Sequence, residues 1–344
     1  MDRSPVQKTK LLFITERIDA QDDDLAFSLQ WIEEFERQGF VVSVICLKSG
    51  TYPSTFRVHS LGKEKGYSKI RQLCIFYKLI FTVPHDRVFV HLSPYFLALG
   101  SPYWFLTRKP VYLWYTHYAM SMSLRISVFL AKRMFAATPQ SLPQYEGNPK
   151  KTIVNHGVNS DFWKAAESTL EDEGNPHNLV SIHRLSRSKR LELVIRALAL
   201  LPAKYTLTVY GRALDPVYFE ELQALVKVLK LEKRVTFKGP VPMPELRSVY
   251  PHYRLMVNMA SETIDKTMLE GMLYGIFPVT TQGNIKAIGL ARSPENDTPE
   301  AIAVFIEKGE WREYTRKELR QYVVDHHGLV SLISKMSAYI REGK

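Results

Sequence analysis

This sequence predicts an α/β protein made of two doubly wound parallel sheets. Three observations carry that prediction. Short apolar runs alternate with amphipathic segments along the chain, the pattern of strands joined by crossover helices. A polar stretch at 164–178 (KAAESTLEDEGNPHN) has no hydrophobic period and contains Gly174 and Pro176, and the alternation restarts after it. At 344 residues the chain is also too long for one ordinary core, so two domains are expected.

In the first half, strands are expected at 10–15, 41–46, 57–61, 88–92, 111–115, 134–137 and 152–154. Helices are expected at 24–37, 67–81 and 121–133, the first because Phe27, Trp31, Ile32 and Phe35 recur at helical spacing. The second half predicts strands at 179–183, 206–210, 235–237, 255–258 and 277–280. Its helices are expected at 189–201, 216–229, 244–250, 266–274, 299–307, 316–323 and 329–340. The domain organisation follows: a first Rossmann-like domain at 1–163, a linker at 164–178, a second such domain at 179–325, and a C-terminal segment at 326–344 expected to pack back on the first.

Composition narrows the function classes. The 45% hydrophobic and 24% charged content is that of a globular chain. Two cysteines, Cys46 and Cys74, in so long a sequence point to a reducing cytoplasm, not a disulfide framework. The apolar run 11–14 is strand-like and is no secretory leader. The aromatic stretch 95–115 is interrupted by Gly100, Pro102, Arg108, Lys109 and Pro110, so it is no spanning helix. Between residues 51 and 151 stand 14 Lys and Arg against Glu64, Asp86 and Glu146, a net +11 that equals the formal excess of the whole protein. Such a surface attracts anionic lipid or a pyrophosphate-bearing acceptor. No reader motif points to nucleic acid. The helix-like segment 121–133 (SMSLRISVFLAKR) is a candidate membrane-facing basic helix at the inner face of a membrane, although its apolar side would equally suit burial against the sheet.

Ligands of doubly wound sheets bind outside the carboxyl ends of the strands, so the strand-to-helix turns hold the candidate site residues. In SETIDKTMLEGMLYG (261–275), Glu262 lies in a loop and Glu270 lies eight positions later, in the second turn of the helix that follows. The amides of Thr263, Ile264, Asp265 and Lys266 at that helix start would favour an anion, with the helix dipole behind them. Arg184 and Lys189 stand five apart, after one strand and at the start of the next helix, where two cations can converge. His117 follows the strand at 111–115. Taken singly, each of these would read as a solvated helix face, a basic turn or a structural histidine.

The order of these parts from 179 to about 280 resembles the family 4 retaining glycosyltransferases of the GT-B superfamily. The segments SIHRLSRSKRLELVIRALALLP, TLTVYGR, VTFKG, the Glu262–Glu270 pair and GIFPVTT are each similar to that family's motifs, in sequence order. The resemblance implies two Rossmann-like domains facing across a cleft that holds a UDP- or GDP-sugar. It implies that Arg184 and Lys189 bind the diphosphate, that Glu270 binds the ribose, and that Glu262 and His117 flank the sugar. Transfer to a hydroxyl acceptor, a glycan or lipid-linked saccharide, would retain the anomeric configuration, with no metal or other cofactor and no protein nucleophile. TIVNHGVNSDFW is similar to the signature that closes the first domain, with Asn155, Gly157, Val158 and Phe162 matching and Asn159 in place of Asp. Two turns depart from the pattern. TERIDAQDDDLAF after the first strand has no glycine, and Thr-Ile-Asp-Lys stands where the family carries Gly-Phe-Gly.

Asp22, Asp23 and Asp24 at a helix start are explained by capping and the macrodipole, without a metal. The absence of a Gly-x-Gly-x-x-Gly turn disfavours a nicotinamide-dependent oxidoreductase. A nucleotide-sugar epimerase of the same build and a silent nucleotide-sugar-binding or scaffold protein remain open alternatives.

Overall fold

A computed structural model describes residues 8–22, 25–116, 120–172, 174–261 and 264–343. The chain divides into two units, Met1–Gly157 with Leu329–Lys344, and Val158–Gly328. Strands of the first unit are β1 (Lys10–Ile18), β2 (Val41–Ser49), β3 (Arg57–Ser60), β4 (Arg87–His91), β5 (Val111–Trp114), β6 (Arg133–Ala136) and β7 (Lys151–Ile153). They form one parallel sheet in the order β3-β2-β1-β4-β5-β6-β7. The second unit holds β8 (Asn178–Ile182), β9 (Thr206–Tyr210), β10 (Val235–Gly239), β11 (Leu255–Asn258) and β12 (Phe277–Thr280), parallel and ordered β10-β9-β8-β11-β12. Both are doubly wound, as the alternating pattern predicts. The central strands are runs of Val, Ile, Leu and Phe because helices cover both faces of each sheet.

One helix, Pro94–Leu106, escapes the hydrophobic pattern. It is apolar nearly all round, so it shows no period, and it carries Gly100 and Pro102 inside it. Pro94 at its first turn needs no hydrogen-bond partner, and Ser127 Oγ donates to the Pro94 carbonyl at 2.6 Å. Gly100 is required by Trp104, which is fully buried: a Cβ there would lie 2.2 Å from the indole ring. The first helix begins at Phe27, not 24. Asp22 accepts from the Leu25 amide at 2.7 Å in the turn before it and pairs with Arg17, while Asp23 and Asp24 lie outside the described residues.

The linker expected at 164–178 is corrected. Val158, Trp163, Ala165 and Leu170 are buried in the core of the second unit, and a short helix, Glu167–Glu171, sits in the segment. Its few apolar residues are too sparse to show a period, yet Ala165 and Leu170 fill places in that core. The second unit therefore starts at Val158 and ends at Gly328, and the helix Leu329–Glu342 belongs to the first unit. Its Leu329, Leu332, Ile333, Met336 and Ile340 pack with Trp31, Ile32 and Phe35. At the exit from the first unit Asn155 and Gly157 hold φ of +69° and +65°. A Cβ on Gly157 would come within 2.2 Å of Leu332. The Val158 amide donates to the His327 carbonyl at 2.7 Å. Asn159 Oδ1 accepts from the amides of Asp161 and Phe162, so it supports the turn where the resemblance leads one to expect Asp.

Candidate active site

At the carboxyl edge of the second sheet, the loops after β8 and β11 meet. The Ser261 amide donates to the Ser188 carbonyl at 3.0 Å, and Thr267 Oγ1 donates to the Ile182 carbonyl at 2.8 Å. The turn after β8 is itself tight: Lys189 closes a 3₁₀ turn (Arg187–Lys189), and Arg190 follows with φ +50°. Arg190 Nε donates to the Met259 carbonyl at 2.7 Å, and its guanidinium pairs with Asp297 at 2.8 Å. These contacts hold the cation-bearing turn against the start of the helix Lys266–Leu273.

Lys189 is buried, and its ammonium donates to Asp265 Oδ1 at 2.6 Å. The other oxygen of Asp265 accepts from Asn258 Nδ2 at 2.7 Å. Asp265 is the cap residue of the helix but makes no side-chain cap bond, because both its oxygens are engaged sideways. Ile264, the residue before it, is buried. Lys266 opens the helix, and Glu270 lies one turn further on, buried and accepting a hydrogen bond from the Tyr250 hydroxyl at 3.1 Å. Burial pushes the Glu270 carboxyl up and the Lys266 ammonium down, and each charge opposes the other's shift. Tyr250 is fully buried against Trp163 and Tyr274, at ring distances of 5.5 and 5.3 Å.

His183, the residue after β8, is buried. Its Nδ1 lies 3.0 Å from the Arg184 carbonyl, which places the proton on that nitrogen, and its Nε2 finds no partner among the described residues. Burial lowers its pKa, opposed chiefly by the charge of Asp265. A Cβ on Gly211, where φ is +146°, would strike the His183 carbonyl at 1.8 Å, so only glycine fits beside this turn.

Two neighbouring clusters thus form a network at this strand edge, Lys189 with Asp265 and Asn258, and Lys266 with Glu270 and Tyr250, while Arg184 is an exposed side chain on the same turn as Lys189. Glu262, Thr263 and His117 lie outside the described residues. Asp265 enters the site through its carboxylate and not only through its amide, which sequence spacing does not show. His183, Asn258 and Tyr250 were not singled out from the sequence. Only Asn258 leaves a trace there, as the polar end of an otherwise apolar strand.

Residues 163–289 match the family described as Glycosyl transferases group 1. The match lies wholly within the second unit. The matched stretch spans β8 to β12 and contains every charged group of the network. Solved structures extend the likeness to the whole chain. HepE from Anabaena, crystallised with UDP, is 17% identical with a TM-score of 0.77, over 97% of this chain and 100% of that one. Sucrose-phosphate synthase from Thermosynechococcus elongatus is 15% identical with a TM-score of 0.78, over 97% and 99%. A glycosyltransferase from Rickettsia africae is 14% identical with a TM-score of 0.74, over 98% and 99%. At these identities the likeness establishes the fold, GT-B with two Rossmann-like domains. A comparison with curated proteins gives no match. Within the matched stretch these side chains occupy the edge where doubly wound sheets take their ligands.

Proposed function

We propose that the protein transfers a hexosyl group from a UDP- or GDP-sugar to a hydroxyl acceptor, a glycan or lipid-linked saccharide, with retention at the anomeric carbon and without a metal or other cofactor. The observation that carries this reading is the buried ammonium of Lys189, held beside the N-terminus of the helix Lys266–Leu273 with the buried Glu270 one turn in. Cleavage of the sugar–phosphate bond leaves negative charge on the departing diphosphate. Fixed cations and helix amides aimed at that charge stabilise it in the transition state more than in the ground state.

In this reading Lys189 and Arg184 take the diphosphate together with the amides at 263–266, and Glu270 accepts from the ribose hydroxyls. Glu262 and His117 flank the sugar. The acceptor oxygen forms its bond to the anomeric carbon on the face the diphosphate leaves. The bond to the phosphate oxygen breaks, and that oxygen takes the acceptor's proton. HepE was crystallised with UDP and with UDP-glucose, which supports a uridine donor.

The protein is expected to transfer sugar from at least one of a panel of UDP- and GDP-hexoses, and Lys189→Ala to lose about 10²–10³ in rate while melting as a folded protein. Absence of both donor binding and turnover across the panel would sink the reading. A second reading, a nucleotide-sugar binder without turnover, is favoured by one observation: Asp265 already neutralises Lys189. Binding of UDP without transfer to any acceptor would decide for it.

A further inference from the structure

We propose that the amino edge of the first sheet docks on an anionic lipid bilayer. Strands β4, β5, β6 and β7 are neighbours, with Val88 beside Val111, Tyr112 beside Arg133 and Met134 beside Lys151. The segments that lead into them therefore lie side by side along one edge. Three of the helices that cover one face of this sheet, Lys69–Thr82, Pro94–Leu106 and Met122–Leu130, each end a few residues before one of these strands. Each ends in an exposed phenylalanine: Phe81 is 59% exposed, Phe105 78% and Phe129 80%, with Leu106 at 80% beside them. The helix Met122–Leu130 turns Leu124, Ser127 and Val128 inward, and its outer face bears Met122, Ile126 and Phe129 at helical spacing.

Such side chains are ordinarily scattered on a surface; here they recur at the same position in three consecutive units. Phe81 packs on Tyr103 at 4.7 Å, which ties the first helix to the second.

Cations stand at the same corners. Arg108 and Lys109 follow Phe105 and Leu106, Lys132 follows Phe129, and Lys150 precedes β7. Lys109 reaches back to the Tyr103 hydroxyl at 3.4 Å, and Lys150 to the Phe129 carbonyl at 2.6 Å. The basic groups thus flank the apolar tips. From residue 65 to 145 the sequence has ten Lys and Arg and one acid, Asp86, whose carboxylate accepts from the Lys10 amide at 2.9 Å.

Large apolar side chains set among cations match the two layers of an anionic membrane surface. The rings enter the acyl boundary while the ammonium and guanidinium groups stay at the phosphates. The attraction is short-ranged in salt, because it falls off within a Debye length of the surface. An acidic protein partner would match the charge but would not require three exposed phenylalanines. Among the described residues no helix is long and apolar enough to cross a membrane, so the contact is a surface one. This surface is independent of the transfer reaction proposed above.

The test is flotation of the full chain with vesicles of phosphatidylcholine alone and with roughly a third phosphatidylglycerol. Binding is expected to the anionic vesicles only, to weaken with salt, and to fall at least tenfold in Phe105→Ala/Phe129→Ala and in Arg108→Glu/Lys132→Glu. Both variants change exposed side chains, and an unchanged melting temperature would exclude unfolding as the cause. Failure to bind anionic vesicles, or equal binding by the double variants, overturns the proposal. So does a lipid-free dimer that the same substitutions dissociate, because the patch would then belong to a second copy of the chain.

Discussion

Lys189 meets Asp265 at 2.6 Å, and in the reaction proposed above a diphosphate arriving at the same ammonium must share it with that carboxylate or displace it. Opposite charges a few ångström apart attract strongly where water is scarce, and this pair is largely buried, so two anions would compete for the one ammonium. Removing the negative charge while keeping the shape should therefore favour the ligand. Asp265→Asn is expected to tighten UDP on the order of tenfold, or about 1.4 kcal/mol, measured by titration calorimetry against the unaltered protein. Equal or weaker binding would mean that Asp265 holds Lys189 in place for the ligand instead of competing with it. This carboxylate also shows the limit of reading the site from sequence. That 184 and 189 fall in the turn after a strand and 270 in the helix starting at 266 was legible, because strand–helix alternation sets such turns. The ion pair spans 76 residues and depends on which turns face each other, a tertiary fact with no local signature. The unpartnered Nε2 of His183 was hidden for the same reason.

Among the elements, the twelve strands of the described residues lie within a few residues of where the apolar runs put them, the central ones because strands buried on both faces are short, branched and continuous. The helix Pro94–Leu106 was illegible for another reason: apolar residues on every side, exposed ones included, remove the period that reveals a helix, and Gly100 and Pro102 read as interruptions. Gly100 permits a test in which two local rules disagree. Helix propensity alone favours alanine over glycine by about 0.8–1.0 kcal/mol. Packing opposes it, because the new methyl would lie 2.2 Å from a Trp104 ring that is completely buried. Overpacking of this kind costs about 1–3 kcal/mol. Gly100→Ala should therefore lower the urea midpoint of the first unit; a raised midpoint would show that the indole has room to move.

At the level of the whole molecule, the expected linker proved to be core, and the last helix completes the first unit. Burying a large apolar side chain stabilises by about 1.5–3 kcal/mol, and five of them on this helix approach the entire stability of an ordinary domain. A chain ending at Gly328 is expected to lose amide protection throughout β1–β7 while β8–β12 stay protected, as read by hydrogen exchange. Retained protection in β1–β7 would show that the helix is dispensable.

The excursion of the chain from Gly157 to Leu329 also sets an order of events during synthesis. A ribosome completes all of the second unit before it makes the residues that seal the first, so nascent β1–β7 must wait, with Trp31, Ile32 and Phe35 uncovered, for the length of 171 residues. At about 5–20 residues per second that interval is on the order of ten seconds or more, during which a chaperone or a neighbouring nascent chain can reach the open face.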